Sequence, residues 1–181
     1  MVGYVVTCTM DSITPGPKPS NTLHQFLDAI SDSPKPTVVV IKDVGPENLR
    51  SCFVGDMICG VYAALGTVGV VTDGGIRDAS GIRMQAPGIQ VFAQGFVASH
   101  GNGVTLDINV PVIIGGMRVE PGDLLHGDVN GVVSVPIDIA EAVVDKAKNI
   151  CEIEAKLFSY LKGNSVSLDG LKRHIGRPTN A

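Results

Sequence analysis

Two short, nearly uninterrupted apolar runs, residues 37–44 and 68–72, most constrain what this chain can fold into. A strand that is apolar at successive positions has no solvent face and must be buried on both sides. Each run follows a segment with helical periodicity. Before the first, Ser20 reads as the N-cap of a helix to about residue 30, with Leu23, Phe26, Leu27 and Ile30 on one face. Before the second, Gly55 opens a helix to about Leu65, with Met57, Ile58, Val61, Ala64 and Leu65 as its apolar stripe and Gly66 as its stop. A first strand over residues 2–9, a short helix over about 78–85 and a strand near 90–93 complete a βαβαβα order. The chain then turns β-rich: residues 103–114, 117–119, and paired strands 124–127 and 131–135 joined at Asp128-Val129-Asn130. A long helix over about 138–162 follows, and a polar tail from residue 163 is expected to lie over the surface. This order predicts an α/β fold with layered sheets, and 181 residues suit one domain.

The charge pattern excludes some functions. The net charge is −4, no Lys/Arg cluster stands out and Trp is absent, so neither a phosphate-binding face nor a base-stacking platform is present. No apolar stretch approaches the roughly 20 residues that span a bilayer, and the N-terminus shows no signal peptide. Cys8, Cys52, Cys59 and Cys151 lack Cys-x-x-Cys or zinc spacing and read as free thiols of a reducing cytosol.

Three places can carry chemistry. Gly55-Asp56-Met57-Ile58 sits where a loop enters a helix; its free N–H groups and dipole suit a carboxylate, or Asp56 simply complements the dipole. Asp73-Gly74-Gly75-Ile76-Arg77-Asp78 follows a strand. Arg77 offers a planar fork for a keto acid and Asp78 an oxygen for Mg²⁺, unless Asp78 is an N-cap with Arg77 as its ion-pair neighbour. On the last helix, Ala140, Val144, Ala147, Cys151, Phe158 and Leu161 form an apolar stripe that includes Glu154. That carboxylate faces the core or another subunit, or sits wet at the stripe's edge. Glu152 lies off the stripe. His100 and His126 are weaker candidates, and Lys42 stays open for Schiff-base chemistry.

Gly55-Asp56-Met57-Ile58, Asp73-Gly74-Gly75-Ile76-Arg77-Asp78, Pro121-Gly122-Asp123 and Asp128-Val129-Asn130-Gly131-Val132-Val133 together resemble the RraA-like family, over most of the chain. That family contains 4-hydroxy-4-methyl-2-oxoglutarate aldolases and the regulator of ribonuclease activity A. The resemblance implies a layered β/β/α sandwich of the swivelling-domain type, assembled as a homotrimer or hexamer with sites between subunits. It implies a pyruvate carboxylate held at Gly55, Asp56, Met57 and Ile58, substrate on Arg77, and Mg²⁺ or Mn²⁺ on Asp78. A Glu from a neighbouring subunit's C-terminal helix, matched here by Glu154, completes the metal's water network. The family's helical segment ahead of the first strand has no counterpart here, so subunit contacts are expected to differ. The ribonuclease regulators typically lack the Asp after the Arg; this chain keeps it.

The activity thus expected is a cytoplasmic class II aldolase that releases pyruvate from a small 2-oxo acid and decarboxylates oxaloacetate. Asp56, Arg77 and Glu154 are its catalytic residues, and no nucleic acid or membrane is a partner. The alternative is a non-catalytic regulator that binds a ribonuclease by protein contact.

Overall fold

β1 (Val2–Asp11) runs through the middle of a seven-stranded sheet because it is long enough to serve three neighbours. In this computed structural model, which describes residues 1–17 and 19–175, it pairs in parallel with β2 (Thr37–Asp43) from Tyr4–Thr37 to Met10–Asp43. Its opposite edge takes two antiparallel partners. Val2 to Tyr4 face β11 (Leu124–Asp128), and Cys8 to Asp11 face β8 (Val104–Ile108). Beyond β2 lie β4 (Thr67–Thr72) and β6 (Gln90–Phe92), both parallel, and β12 (Gly131–Val135) flanks β11. Parallel neighbours require crossovers, and α1 (Leu23–Asp32), α2 (Asp56–Ala64) and α3 (Ala79–Gln85) supply them.

The apolar run Val38 to Ile41 of β2 has a plain cause. Val39 and Ile41 enter a core with Phe26, Ile30, Tyr62 and Val70 on the helical face. Val38 and Val40 enter a second core with Val5, Val112, Val119 and Leu125, beneath the ribbon of β9 (Val112–Ile114) and β10 (Met117–Val119). Successive side chains alternate faces, and both faces are covered. Helices on one side of the main sheet and a β ribbon on the other give the expected layered α/β architecture.

A smaller parallel sheet of β3 (Cys52–Val54), β5 (Gly75–Ile76) and β7 (Gly95–Phe96) lies apart from the main one. Its register pairs Val54 with Ile76.

Several local expectations change. Ser20 is not the cap of α1. The N-cap is Thr22, whose hydroxyl donates to the carbonyls of Thr105 and Leu106, while Asn21 Oδ1 accepts the Leu23 N–H. Tertiary ties to β8 thus set this helix start. On α2 the buried residues are Cys59 and Tyr62, and Met57 is 77% exposed. This helix is apolar on nearly every face, so its periodicity could not select the inward one.

The described chain divides into two compact units, Met1–Ile137 and a second that begins at Asp138. The second contains α4 (Ala140–Leu161), which follows a 3₁₀ turn at Ile137–Ile139. The polar tail is not featureless: Leu168–Ile175 form α5. Its start is pinned by Tyr160, whose hydroxyl accepts the Ser167 N–H at 2.8 Å and whose ring stacks on His174 at 4.3 Å. The last residues of that tail, 176–181, lie outside the described ones. No residue of α4 is buried, and Val144, Cys151, Phe158, Leu161 and Glu154 are all exposed in the chain. Among the described residues, no helix is long and apolar enough to cross a membrane.

Candidate functional site

The Val54–Ile76 pairing brings two chain segments, far apart in sequence, out of the small sheet side by side. One continues as Gly55 and α2, the other as Arg77 and Asp78. The Arg77 N–H donates to Val54 O at 3.0 Å, which fixes the crossing. Gly55 is extended (φ −138°, ψ −175°) and caps α2 without a side chain, so the first turn presents backbone N–H groups. Within that turn, the Met57 N–H donates to Asp56 Oδ1 at 2.7 Å.

Asp78 adopts the left-handed conformation (φ 58°, ψ 37°) at the N-cap position of α3, yet its side chain makes no cap bond. A non-glycine residue held there costs on the order of 1–3 kcal/mol, and such residues concentrate at functional sites. Its carboxylate instead turns to Arg77: Asp78 Oδ2 lies 3.1 Å from Arg77 Nε. Arg77 Nη1 reaches Cys52 Sγ at 3.5 Å and the Ser99 carbonyl at 3.4 Å, and both charged side chains keep solvent access, 24% for Arg77 and 43% for Asp78.

Gly55 makes this close approach possible. A methyl group there would stand 2.9 Å from Asp78 Oδ2 and 3.2 Å from Arg77 Nε. Gly81 on α3 plays the same part for Asp56, whose Oδ2 would be 2.5 Å from a methyl at that position. Gly55, Arg77 and Asp78 therefore occupy one spot, and Asp56 lies against the adjoining helix. The charge of Asp56 is also felt at Cys59: burial first, and Asp56 second, push that thiol up from 9.0 to about 11.

Arg77 also lines a cavity of about 180 Å³, together with Met57 and Ile58 from the α2 start. Leu23, Phe53, Tyr62 and Val104 form much of the remaining wall. These four come from four separate elements, and nothing in the sequence marks them as neighbours. His100 is exposed and lines the same cavity, with Nδ1 3.0 Å from Gly101 O. Lys42 is not among the lining residues; it is ion-paired with Asp73, which also accepts the Asp43 N–H at 2.8 Å. Glu154 belongs to the second unit. His126 is exposed on β11.

The donor set bears on what the site can hold. Among the described residues, no group of three His, Cys, Asp or Glu side chains is gathered to bind a metal ion. Asp78 alone, a partly exposed hard-oxygen ligand, fits Mg²⁺ or Mn²⁺ of the kind that takes one or two protein carboxylates and fills its shell with water and substrate. It does not fit zinc, which requires three or four protein ligands.

The RraA-like (Aldolase/RraA) sequence profile matches residues 1–134, most of the chain. The chain belongs to the RraA-like family. A relative from Halalkalibacterium halodurans, provisionally named a 4-hydroxy-4-methyl-2-oxoglutarate aldolase, is 36% identical over 124 residues, 67% of this chain and 57% of its own. The chain thus spans little more than half the length of that relative. Among solved structures of RraA-like fold, Streptomyces coelicolor RraAS2, described as an unusual member of the RNase ES inhibitor RraA protein family, superposes with a TM-score of 0.63 at 28% identity. The match covers 87% of this chain and 75% of that one. An uncharacterized protein from Pseudomonas syringae superposes with a TM-score of 0.70 over 96% of this chain and 74% of its own; at 23% identity it speaks to the fold alone. The family thus contains proteins named as lyases and proteins named as ribonuclease inhibitors.

Proposed function

We propose that this RraA-like chain is a divalent-metal-dependent carbon–carbon lyase that releases pyruvate from 4-hydroxy-2-oxo acids of the 4-hydroxy-4-methyl-2-oxoglutarate type and decarboxylates oxaloacetate. The observation that carries this reading is the meeting of Gly55, Arg77 and Asp78, with Asp78 Oδ2 3.1 Å from Arg77 Nε and room for both only because residue 55 lacks a side chain. Asp78 would hold Mg²⁺ or Mn²⁺, which when bound supplies Lewis acidity toward the keto oxygen. The α2 start, Gly55 to Ile58, receives the substrate carboxylate on its N–H groups. Arg77 orients the keto acid and offsets the negative charge that develops as the bond breaks.

In the retro-aldol step the 4-hydroxyl gives its proton to a water held by Asp56 and by Glu154 of a neighbouring copy. The C3–C4 bond breaks, C4 becomes a carbonyl, and the electron pair stays on C3 as the pyruvate enolate, which is then protonated to pyruvate. Loss of carbon dioxide from oxaloacetate leaves the same enolate. This arrangement calls for a homotrimer or hexamer with sites between copies. Cys8, Cys52, Cys59 and Cys151 are free, which suits the cytoplasm.

The test is pyruvate release from oxaloacetate and from 4-hydroxy-4-methyl-2-oxoglutarate with Mg²⁺ or Mn²⁺. Activity should vanish with EDTA, return with metal, and fall at least about 100-fold in Asp78→Ala. Chelator-insensitive turnover, or full activity in Asp78→Ala, overturns the reading. The likeness to RraAS2 favours one rival, a ribonuclease regulator acting by protein contact. Capture of a ribonuclease equally by wild type and Asp78→Ala, without turnover by either, supports that rival instead.

A further inference from the structure

His100 lines the cavity beside Arg77, yet it has no part in holding the pyruvyl end of a substrate. The loop that carries it is fastened to the site. Arg77 Nη1 donates to the Ser99 carbonyl at 3.4 Å, so the residue next to His100 is tied to the guanidinium that orients the keto acid. Gly101 then turns the chain in the left-handed conformation (φ 59°), which glycine adopts without strain. It lies against Ser12, where an added methyl group would stand 3.1 Å from the Ser12 Cβ. Ser12 is itself buried, with its hydroxyl 3.1 Å from that of Ser51. Two residues on, a methyl at Gly103 would stand 3.4 Å from the ring of Phe53, another residue of the cavity wall. Residues 99–103 are thus held against the cavity from both ends, and the exposed His100 sits between the two anchors.

The ring has a defined orientation of its hydrogens. His100 Nδ1 lies 3.0 Å from the Gly101 carbonyl. A carbonyl oxygen only accepts, so Nδ1 carries the hydrogen and Nε2 is the ring atom left to meet a ligand. With a proton on Nε2 as well, the ring is a cation with a second N–H to donate. A carboxylate entering a partly enclosed site gives up hydration and needs a charged donor in its place. In the proposed reaction, Arg77 and the first-turn N–H groups of α2 serve the pyruvyl carboxylate and keto group. The second carboxylate of 4-hydroxy-4-methyl-2-oxoglutarate is carried by C4, at the other end of the molecule. Among the described residues that line the cavity, His100 joins Arg77 as a side chain able to carry positive charge.

We infer that His100 sets the substrate class of this site: its Nε2–H donates to the carboxylate on C4 of a 4-hydroxy-2-oxo dicarboxylate, so that the co-product of pyruvate is a second 2-oxo acid. This rests on the lyase reading and deepens it. His100 binds the part of the substrate that does not react, while Arg77, Asp78 and the α2 start hold the part that becomes the enolate. Its contribution is therefore to affinity for dicarboxylates, and a substrate without the second carboxylate does not draw on it.

The test measures pyruvate release by the full chain with Mg²⁺ from 4-hydroxy-4-methyl-2-oxoglutarate and from the monocarboxylate 4-hydroxy-2-oxohexanoate. Both substrates are assayed in one preparation of wild type and of His100→Ala, so the ratio of the two kcat/KM values is independent of the folded fraction. His100→Ala should lower kcat/KM for the dicarboxylate by about tenfold or more, through KM, and change that for the monocarboxylate less than twofold. His100→Asp, which reverses the charge, should lower the ratio further. A ratio unmoved by His100→Ala overturns the inference while leaving the lyase intact. So does an equal loss on both substrates, which would place His100 in a step common to them. No chelator-sensitive, Asp78-dependent pyruvate release from either substrate or from oxaloacetate overturns both.

Discussion

Gly55→Ala is the sharpest single perturbation of the site, because it adds one methyl group to the crowded meeting point and little else. The added carbon would lie 2.9 Å from Asp78 Oδ2, 3.2 Å from Arg77 Nε and 3.3 Å from Arg77 Cζ, against ordinary contacts of 3.4–4 Å. Asp78 must therefore withdraw by roughly half an ångström, and Arg77 by a few tenths. A misplacement of about 1 Å in a catalytic group costs about 100-fold, so half that displacement predicts a fall in kcat/KM of about tenfold. Backbone strain does not contribute, since φ −138° is extended geometry open to any residue. The stability cost is confined to exchanging glycine for alanine at an N-cap, at most about 1 kcal/mol, or a Tm lowered by about 2–4 °C. Pyruvate release read through a coupled dehydrogenase, alongside a thermal melt, separates the two effects. A kcat/KM within twofold of wild type at an unaltered Tm would refute the reasoning, because Gly55 would then not be the room in which Arg77 and Asp78 sit.

Two further predictions concern the core beneath the site. Tyr62 is 0% exposed, and its hydroxyl has no hydrogen-bond partner among the described residues, while its ring meets Phe26 edge-on at 6.1 Å. Tyr62→Phe keeps the ring contact and removes the orphaned hydroxyl, so urea denaturation should show stability unchanged or raised by up to about 1 kcal/mol; a loss of that size would contradict it. Burial holds the Cys59 thiol protonated to about 11, whereas the unfolded chain releases that proton near 9.0. The resulting contribution is complete below pH 9 and is lost as pH rises toward 11. Cys59→Ala should flatten the alkaline limb of a stability–pH curve measured by denaturant titration, and an identical limb in both proteins would count against this.

Much of the fold could be read from local pattern. The buried runs of β2 and β4, the β11–β12 hairpin around Asp128-Val129-Asn130, and the span of α4 all follow from periodicity and turn residues. Where local pattern failed, a distant contact decided. Thr22 rather than Ser20 caps α1 because β8 claims its hydroxyl. The inward face of α2 is chosen by the sheet against which it packs, since Met57, Val61 and Ala64 made its outer positions as apolar as its inner ones. Tyr160 ties down a helix in a stretch too polar to suggest one. The site was legible in part for the same reason. Gly55, Arg77 and Asp78 carry motif signals, but only the Val54–Ile76 register makes them neighbours. The αL turn at Asp78, which frees its carboxylate from capping, has no local signature. The cavity wall from Leu23, Phe53 and Val104 is a product of topology alone.

Binding of Mn²⁺, followed by its electron paramagnetic resonance spectrum as metal is titrated into the full chain, tests most directly whether Asp78 holds a cation beside Arg77. Wild type should bind the ion, and Asp78→Asn, which keeps the shape but removes the charge, should weaken binding at least tenfold. Equal affinities in the two proteins would contradict the account.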